Sequence, residues 1–298
     1  MGGFFFAFFG NKRYISSYKL NIIDICLVRL GCLIPDMGLT ILKDIVKEMP
    51  EYDYIYLGDN ARTPYGTRSF DVVYKYTREA VLKLFGMGCK LVILACNTAS
   101  AKALRTIQQV DLPRIDSQRR VLGVIRPSVE AVADFTGNGH IGILATSGTV
   151  ASESYLLEIA KIHSERGFLV TQQACPMWVP IVENNEMNSP GAAFFVQKYI
   201  DTILQADPQI DTLVLACTHY PLLRSVIDRF IPEGITVIQQ GEIVARSLKD
   251  YLWRHPEMER ELSRGGQIEF LTTEKGGMFD KMAALFMQAE VTSRHIEL

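Results

Sequence analysis

The chain has 298 residues, of which 48% are hydrophobic and 21% are charged, and its formal net charge at pH 7 is −2. This length suffices for two domains with hydrophobic cores, and the composition is that of an ordinary globular protein. The small net charge offers no electrostatic attraction for nucleic acid or a membrane surface, so we expect a small-molecule ligand that is held by local groups.

Residues 1–28 are interpreted as an extension without an assigned role. They contain an apolar run of about ten residues, which is too short to span a bilayer. Positive charges follow this run, whereas a signal peptide carries them before it. The six cysteines of the chain include no C-x-x-C pair, which argues against a zinc ribbon. We therefore expect a cytoplasmic protein without a metal site.

From about residue 38, short β-rich runs alternate with amphipathic helical patterns. The predicted strands are 54–59, 90–96, 121–125, 140–146, 168–174, 212–218, 235–240 and 268–273. The clearest helical patterns cover 69–88, 149–167 and 221–232. Continuous apolar strands that alternate with helices favour an α/β fold with mostly parallel sheets, covered by helices on both faces.

Two of the predicted strands end in similar sequences. The stretch LVILACNTAS (91–100) ends its apolar run at Cys96, and LVLACTHYPLL (213–223) does so at Cys217. This similarity indicates two pseudo-symmetric α/β lobes that face each other across a cleft. We expect the first lobe to comprise 29–123 and about 235–298, and the second lobe to comprise 124–234.

The two cysteines are candidate acid–base groups. Ligands of open parallel sheets bind at the carboxyl ends of the strands, where Cys96 and Cys217 lie. A thiol near a helix N-terminus is stabilised as thiolate by the helix dipole. Two thiols on opposite sides of a carbon can invert it, because one removes a proton while the other delivers one. A single cysteine after an apolar run is most often a small buried hydrophobe, but the paired contexts favour the chemical interpretation.

Several segments together resemble the glutamate racemases of the aspartate/glutamate racemase family. LACNTASA and LACTHYPLL resemble the two active-site signatures of that family, and IYLGDNARTPYGTRS (55–69) is similar to its Pro-Tyr-Gly segment. CPMWVPIVEN (175–184) and IGILATSGTV (141–150) also match the family pattern. The resemblance implies a homodimeric racemase that needs no cofactor. Such an enzyme would supply D-glutamate for peptidoglycan and would therefore act in cell wall biogenesis and the maintenance of cell shape.

The resemblance also implies roles for individual residues. Cys96 and Cys217 would transfer the proton, and His219 and Glu183 would assist Cys217. The residues that would hold the charged groups of the substrate are Tyr65, Gly66, Asn97, Thr98, Thr218 and His219. The resemblance gives no role to Cys175, which we expect in the core.

One segment departs from the family pattern. The family opens with a strand and loop of the form I-G-V-F-D-S-G-x-G-G-L-T, whose Asp assists the first cysteine and whose Ser helps to bind the substrate. This chain has RLGCLIPDMGLT (29–40), so that Leu33 and Ile34 stand where Asp and Ser belong, and Asp36 comes three positions too late.

The genetic code suggests a reading-frame error in this segment. Residues 29–38 can be encoded by AGA TTG GGG TGT TTG ATT CCG GAT ATG GGN. Without the first two nucleotides, the same string reads ATT GGG GTG TTT GAT TCC GGA TAT GGG, which encodes IGVFDSGYG. We hypothesise a frame error up to about residue 37, which resequencing of the gene would test.

Three alternatives to a glutamate racemase remain open. The first is an aspartate racemase or a related isomerase with a cysteine pair. The second is a catalytically impaired amino-acid-binding homologue, which the altered loop favours. The third is a thiol-based metal or redox site, for which two dispersed cysteines and one histidine are an incomplete set of ligands.

Overall fold

The computed structural model describes residues 25–29, 38–275, 277–287 and 289–298. The strands are β1 (Ile25–Arg29), β2 (Tyr54–Gly58), β3 (Leu91–Leu94), β4 (Arg120–Gly123), β5 (His140–Ala145), β6 (Leu169–Ala174), β7 (Thr212–Ala216), β8 (Thr236–Ile238), β9 (Ile268–Thr272) and β10 (Ser293–His295). They form two sheets with the orders β10-β9-β2-β1-β3-β4 and β6-β5-β7-β8, and every strand pair is parallel.

Helices connect the strands and cover the sheets. They are α1 (Leu39–Glu48), α2 (Phe70–Gly86), α3 (Asn97–Lys102), α4 (Leu104–Thr106), α5 (Leu112–Ile115), α6 (Ile125–Val132), α7 (Ser147–Ala151), α8 (Ser154–Ile162), α9 (Trp178–Glu183), α10 (Pro190–Ala206), α11 (Arg224–Ile227), α12 (Gln240–Arg254), α13 (Pro256–Glu259) and α14 (Met278–Met287). Short 3-10 helices span Asn60–Arg62 and Tyr220–Leu223, and a π-helical stretch spans Ile107–Asp111. No helix of the described ranges is both long and apolar enough to cross a membrane.

The two sheets repeat one strand order. The strands β2-β1-β3-β4 in the first sheet correspond to β6-β5-β7-β8 in the second, so that β3 and β7 occupy equivalent positions. Every residue of β3 and of β7 is buried, as expected for central strands of a parallel sheet that is covered on both faces. Cys96 and Cys217 follow equivalent strands, and the predicted α/β fold with two similar lobes is confirmed.

All eight predicted strands are present, but the predicted lobe boundaries need correction. β1 is hydrogen-bonded between β2 and β3, so residues 25–28 belong to the first sheet and not to an extension. Residues 1–24 lie outside the described part of the chain. β8 pairs with β7 in the second sheet, so the chain returns to the first lobe after Ile238 and not at about residue 235.

The return of the chain to the first lobe is made by α12. Its apolar residues Val244, Leu248 and Leu252 recur at helical spacing and are buried in one cluster with Leu42 and Ile45 of α1. The predicted helix over 149–167 is instead two helices, because Glu153 between α7 and α8 has a left-handed backbone conformation with φ of 54°. This break sets the direction in which α8 leaves the end of β5.

The core of the second lobe includes Trp178, the first residue of α9. Its side chain is fully buried and packs edge-on against Tyr220, with 4.7 Å between the ring centroids. α9 ends at Glu183, one of the predicted site residues, so the packing of Trp178 fixes the helix that carries this carboxylate.

We expect Trp178→Ala to destabilise the protein by about 3–5 kcal/mol, because the substitution removes a fully buried indole and leaves a cavity. The other tryptophan of the chain, Trp253, is 80% exposed and provides a matched control. Trp253→Ala should change the free energy of unfolding by less than about 0.5 kcal/mol. Urea unfolding monitored by far-ultraviolet circular dichroism measures both, and equal effects would contradict this assignment of the core.

Candidate active site

A cavity of about 100 Å³ lies between the two lobes, at the carboxyl ends of their strands. All nine residues predicted for the site line this one cavity, namely Tyr65, Gly66, Cys96, Asn97, Thr98, Glu183, Cys217, Thr218 and His219. The cavity is smaller than the pockets that bind drug-sized molecules, and its size suits a small metabolite. The structure therefore brings together segments that are far apart in the sequence.

Cys96 lies on the first-lobe side of the cavity. β3 ends at Leu94, and Cys96 has an extended backbone conformation with φ of −94° and ψ of 127°. It is the residue that immediately precedes α3, and its carbonyl accepts the backbone N–H of Ser100. Cys96 is partly exposed, in contrast to the residues of the strand before it.

Cys217 lies on the second-lobe side, within a chain of three polar side chains. Its Sγ is 3.6 Å from Nδ1 of His219, and Nε2 of His219 is 3.3 Å from Oε1 of Glu183. Cys217 and His219 are both buried. When Nε2 donates its proton to the carboxylate, Nδ1 presents a lone pair to the thiol, and a protonated Nδ1 can instead donate to a thiolate. The arrangement can pass a proton to or from the sulfur.

The side chain of Tyr65 is directed into the first lobe. Its hydroxyl donates a hydrogen bond to Oδ2 of Asp59 at 2.5 Å, and Asp59 is fully buried beside the guanidinium of Arg62. Burial, followed by the charge of Asp59, raises the pKa of Tyr65 far above its usual value, so the phenol stays protonated. Tyr65 thus anchors its loop through the hydroxyl and contributes other atoms to the cavity wall.

The backbone of Gly66 joins the two lobes. Its carbonyl accepts the N–H of Gly148, the second residue of α7, at 2.9 Å. A Cβ atom at Gly148 would lie only 2.6 Å from this carbonyl oxygen, so the close approach requires glycine there. This contact places the loop of the first lobe directly against the end of β5.

A cluster of threonine hydroxyls crosses the cleft. Oγ1 of Thr98 lies 3.0 Å from Oγ1 of Thr146, which caps α7 by accepting the N–H of Thr149. Thr146 and Ser147 line the cavity but were not predicted as site residues. They follow β5, which occupies the same position in the second sheet as β1 does in the first. The pseudo-symmetry of the lobes could therefore have identified them as site residues.

The side chain of Asn97 has partners inside the protein. Its Nδ2 donates to Oε1 of Gln240 at 2.6 Å, and its Oδ1 accepts from the hydroxyl of Tyr155 at 2.9 Å. Asn97 is one of the residues predicted to hold a charged group of the substrate, and in the structure both ends of its side-chain amide are engaged by these neighbours. The backbone N–H of this first residue of α3 is the group suited to a ligand in the cavity.

Two further expectations concern residues around the thiols. Cys175 is fully buried as expected, and it also forms part of the cavity wall. Burial, followed by the proximity of Cys217, raises the pKa of the Cys175 thiol well above its usual value. Leu33, Ile34 and Asp36, in the segment that departs from the family pattern, lie outside the described residues. Within the described residues, no group of three or more His, Cys, Asp or Glu side chains could hold a metal ion.

Comparisons with known proteins agree on one family. Residues 36–248 match the model of the family described as Asp/Glu/Hydantoin racemase. A glutamate racemase from Ruegeria sp. is 37% identical over 265 residues, which cover 86% of this chain and 94% of the relative. The family match begins at residue 36, within the segment 29–40 that departs from the family pattern and after Leu33 and Ile34.

Solved structures of similar fold cover nearly the whole chain. The crystal structure of a glutamate racemase isoform from Bacillus anthracis superposes with a TM-score of 0.81 and 29% identity, covering 93% of this chain and 98% of that one. The glutamate racemase from Francisella tularensis, crystallised in complex with D-glutamate, has a TM-score of 0.77 and 26% identity, covering 94% and 98% of the two chains.

Proposed function

Because the chain belongs to the Asp/Glu/hydantoin racemase family, we propose that it interconverts L- and D-glutamate without a cofactor, by a two-base mechanism of one thiolate and one thiol. The observation that carries this proposal is the placement of Cys96 and Cys217 after equivalent strands of two lobes, in the wall of one small cavity. This placement suits a stereocentre held between two sulfur atoms.

Glutamate is the proposed substrate because the relatives and the superposed crystal structures described above are glutamate racemases. The cavity is small, and its wall carries polar groups for two carboxylates and an ammonium group. The proposed substrate-binding residues are Tyr65, Gly66, Asn97, Thr98, Thr218 and His219. Tyr65 and Gly66 would contribute through their backbone and the shape of their loop, since the Tyr65 hydroxyl is bound to Asp59.

The proposed proton transfer uses the two thiols in turn. One cysteine, as thiolate, removes the α-proton, and the other, as thiol, protonates the opposite face of the planar carbanion. His219 keeps Cys217 in the required protonation state, and Glu183 orients and stabilises the imidazole, as the third group does in catalytic triads. The roles of the two thiols are exchanged when the other enantiomer reacts.

We further propose, from the family resemblance, a cytoplasmic homodimer that supplies D-glutamate for peptidoglycan. Circular dichroism of L-glutamate and D-glutamate solutions incubated with the purified protein tests the activity. We expect either solution to decay to zero signal, with solvent deuterium appearing at the α-carbon. An unchanged signal for both enantiomers would contradict the proposal, and decay with aspartate alone would assign an aspartate racemase instead.

A second candidate is an amino-acid-binding homologue with little turnover. It is favoured by Leu33 and Ile34 in the opening loop, because these side chains cannot replace a carboxylate and a hydroxyl. Calorimetric binding of glutamate without deuterium incorporation at the α-carbon would establish this candidate.

Glu183→Gln is expected to lower kcat about ten- to a hundredfold, because the amide cannot stabilise the imidazolium that forms when His219 takes a proton. KM should change less, since Glu183 acts through His219 in this scheme. Glu186→Gln is the matched control, because Glu186 is exposed just beyond α9. Steady-state kinetics measures both variants, and equal kcat values for wild type and Glu183→Gln would remove Glu183 from the mechanism.

A further inference from the structure

We propose that Gln240 and Tyr155 are positioning residues for the Cys96 half of the site, which they hold through the side chain of Asn97. This inference rests on the proposed racemase function and assigns a role in it to two residues that do not line the cavity. Neither residue belongs to the motifs that carry the family resemblance.

Asn97, Gln240 and Tyr155 form a closed ring of three hydrogen bonds. Nδ2 of Asn97 donates to Oε1 of Gln240 at 2.6 Å, and Nε2 of Gln240 donates to the hydroxyl of Tyr155 at 2.9 Å. This hydroxyl donates in turn to Oδ1 of Asn97, also at 2.9 Å. The three residues are at most 3% exposed, so water does not compete for these bonds.

The ring lies where the chain passes between the lobes. Gln240 is the first residue of α12, just after the chain leaves β8. Its Nε2 also donates to Oγ of Ser128 on α6 at 2.7 Å and lies 3.3 Å from the carbonyl of Val124, where the chain leaves β4. Tyr155 belongs to α8 of the second lobe. The ring thus connects Asn97, the residue next to Cys96, to the second lobe and to both segments in which the chain passes from one lobe to the other.

The three side chains of the ring are uncharged, which suits a role in holding Asn97 in a fixed position. Two amides and a phenol carry no charge, and burial raises the pKa of Tyr155, so its hydroxyl remains a donor at neutral pH. Removal of the Tyr155 hydroxyl leaves Oδ1 of Asn97 with only the longer bond from Nε2 of Gln240, at 3.3 Å, and removal of the Gln240 amide leaves Nδ2 of Asn97 without its acceptor, so in either case the side chain of Asn97 has to move. Tyr155 lies within electrostatic range of Cys217, but Cys217 has a support of its own in the chain through His219 and Glu183, so a defect in the ring should act mainly on Cys96.

A displaced Cys96 has a distinctive kinetic consequence. For one enantiomer, Cys217 removes the α-proton and Cys96 delivers the new proton. When delivery is slowed, the carbanion regains a proton or deuteron from Cys217 and keeps its configuration. The ratio of solvent exchange to inversion therefore rises for that enantiomer. A loss of folded enzyme lowers both rates together and leaves this ratio unchanged.

The test compares Tyr155→Phe and Gln240→Leu with the control Ser128→Ala. Tyr155→Phe keeps the shape of the side chain and removes only the hydroxyl. Ser128→Ala removes a hydroxyl that neighbours both Gln240 and Tyr155 but leaves the three bonds of the ring in place, because the amide of Gln240 can donate to the Val124 carbonyl instead.

In deuterium oxide, circular dichroism follows inversion and proton NMR follows exchange for each enantiomer. For both ring variants we expect inversion to fall about tenfold and the exchange-to-inversion ratio to rise about tenfold for one enantiomer only. Ser128→Ala should stay within about twofold of wild type in both quantities. A ratio that is the same in wild type and both ring variants overturns the proposal.

A second measurement does not require turnover. Iodoacetamide alkylation, resolved by mass spectrometry of the peptides, gives the ratio of the Cys96 rate to the Cys217 rate. We expect this ratio to fall about threefold in Tyr155→Phe, because Cys96 loses its fixed alignment with the N–H groups of the first turn of α3. It should be unchanged in Ser128→Ala. Equal ratios in wild type and Tyr155→Phe overturn the positioning role, whereas an inactive wild type refutes the proposed function alone.

Discussion

Cys96→Ala and Cys217→Ala are each expected to reduce the interconversion of L- and D-glutamate by at least about a thousandfold, in both directions. Both thiols line one cavity, and they follow the equivalent strands β3 and β7 of two facing lobes. Inversion needs a base on one side of the carbon and an acid on the other, so the loss of either thiol stops the reaction. Circular dichroism of each enantiomer measures this loss.

Isotope exchange separates the two-base scheme from a scheme with one base. In Cys96→Ala, the remaining Cys217 can still remove and return the α-proton of one enantiomer, so that enantiomer alone should incorporate deuterium without inversion. Cys217→Ala should give the same result with the other enantiomer. If both variants exchanged the same enantiomer, the assignment of opposite faces to the two thiols would be wrong.

Cys175→Ala is the matched control for these variants. Cys175 is a third thiol in the wall of the same cavity, but it is fully buried and its raised pKa disfavours the thiolate at neutral pH. We expect its replacement to change kcat by less than about fivefold, through packing alone. A loss as large as that of Cys96→Ala would assign the chemistry to the wrong pair of thiols.

The sequence was sufficient for most of the sheet architecture. Eight strands were predicted correctly, because buried parallel strands are continuous apolar runs that are bounded by helical patterns. Two strands were missed: β10 because its sequence, Ser293–His295, is short and polar, and β1 because residues 1–28 were interpreted as an extension. β8 was predicted as a strand but assigned to the wrong lobe, since its pairing with β7 depends on tertiary contacts that local patterns do not encode.

The location of the candidate site was predictable from motifs, but the hydrogen bonds within it were not. Cys96, Cys217, His219 and Glu183 were predicted from motifs, and the structure brings all four to one cavity. Motifs alone could not reveal that Asn97 would direct its amide towards Gln240, because the two residues are 143 positions apart. Thr146 was missed for a similar reason, since only the facing lobe gives it Thr98 as a neighbour.

Replacement of residues 29–37 by IGVFDSGYG is expected to raise kcat/KM for glutamate at least about a hundredfold over that of the chain as written. The replacement places a carboxylate and a hydroxyl at the positions of Leu33 and Ile34, where the family pattern has Asp and Ser. In the proposed mechanism this carboxylate would accept and return the proton of Cys96, which is the part proposed for His219 and Glu183 beside Cys217. The reading-frame hypothesis predicts the same nine residues from the nucleotide sequence.

The control for this replacement carries IGVFNAGYG over the same positions, which keeps the glycines and the shape of the loop but removes the carboxylate and the hydroxyl. We expect its kcat/KM to stay near that of the chain as written. If both replacements raised activity equally, the gain would come from the glycines, which permit close approach of the backbone to the cavity. If neither replacement raised activity, Leu33 and Ile34 would not limit turnover. The two thiols would then act without a carboxylate beside Cys96.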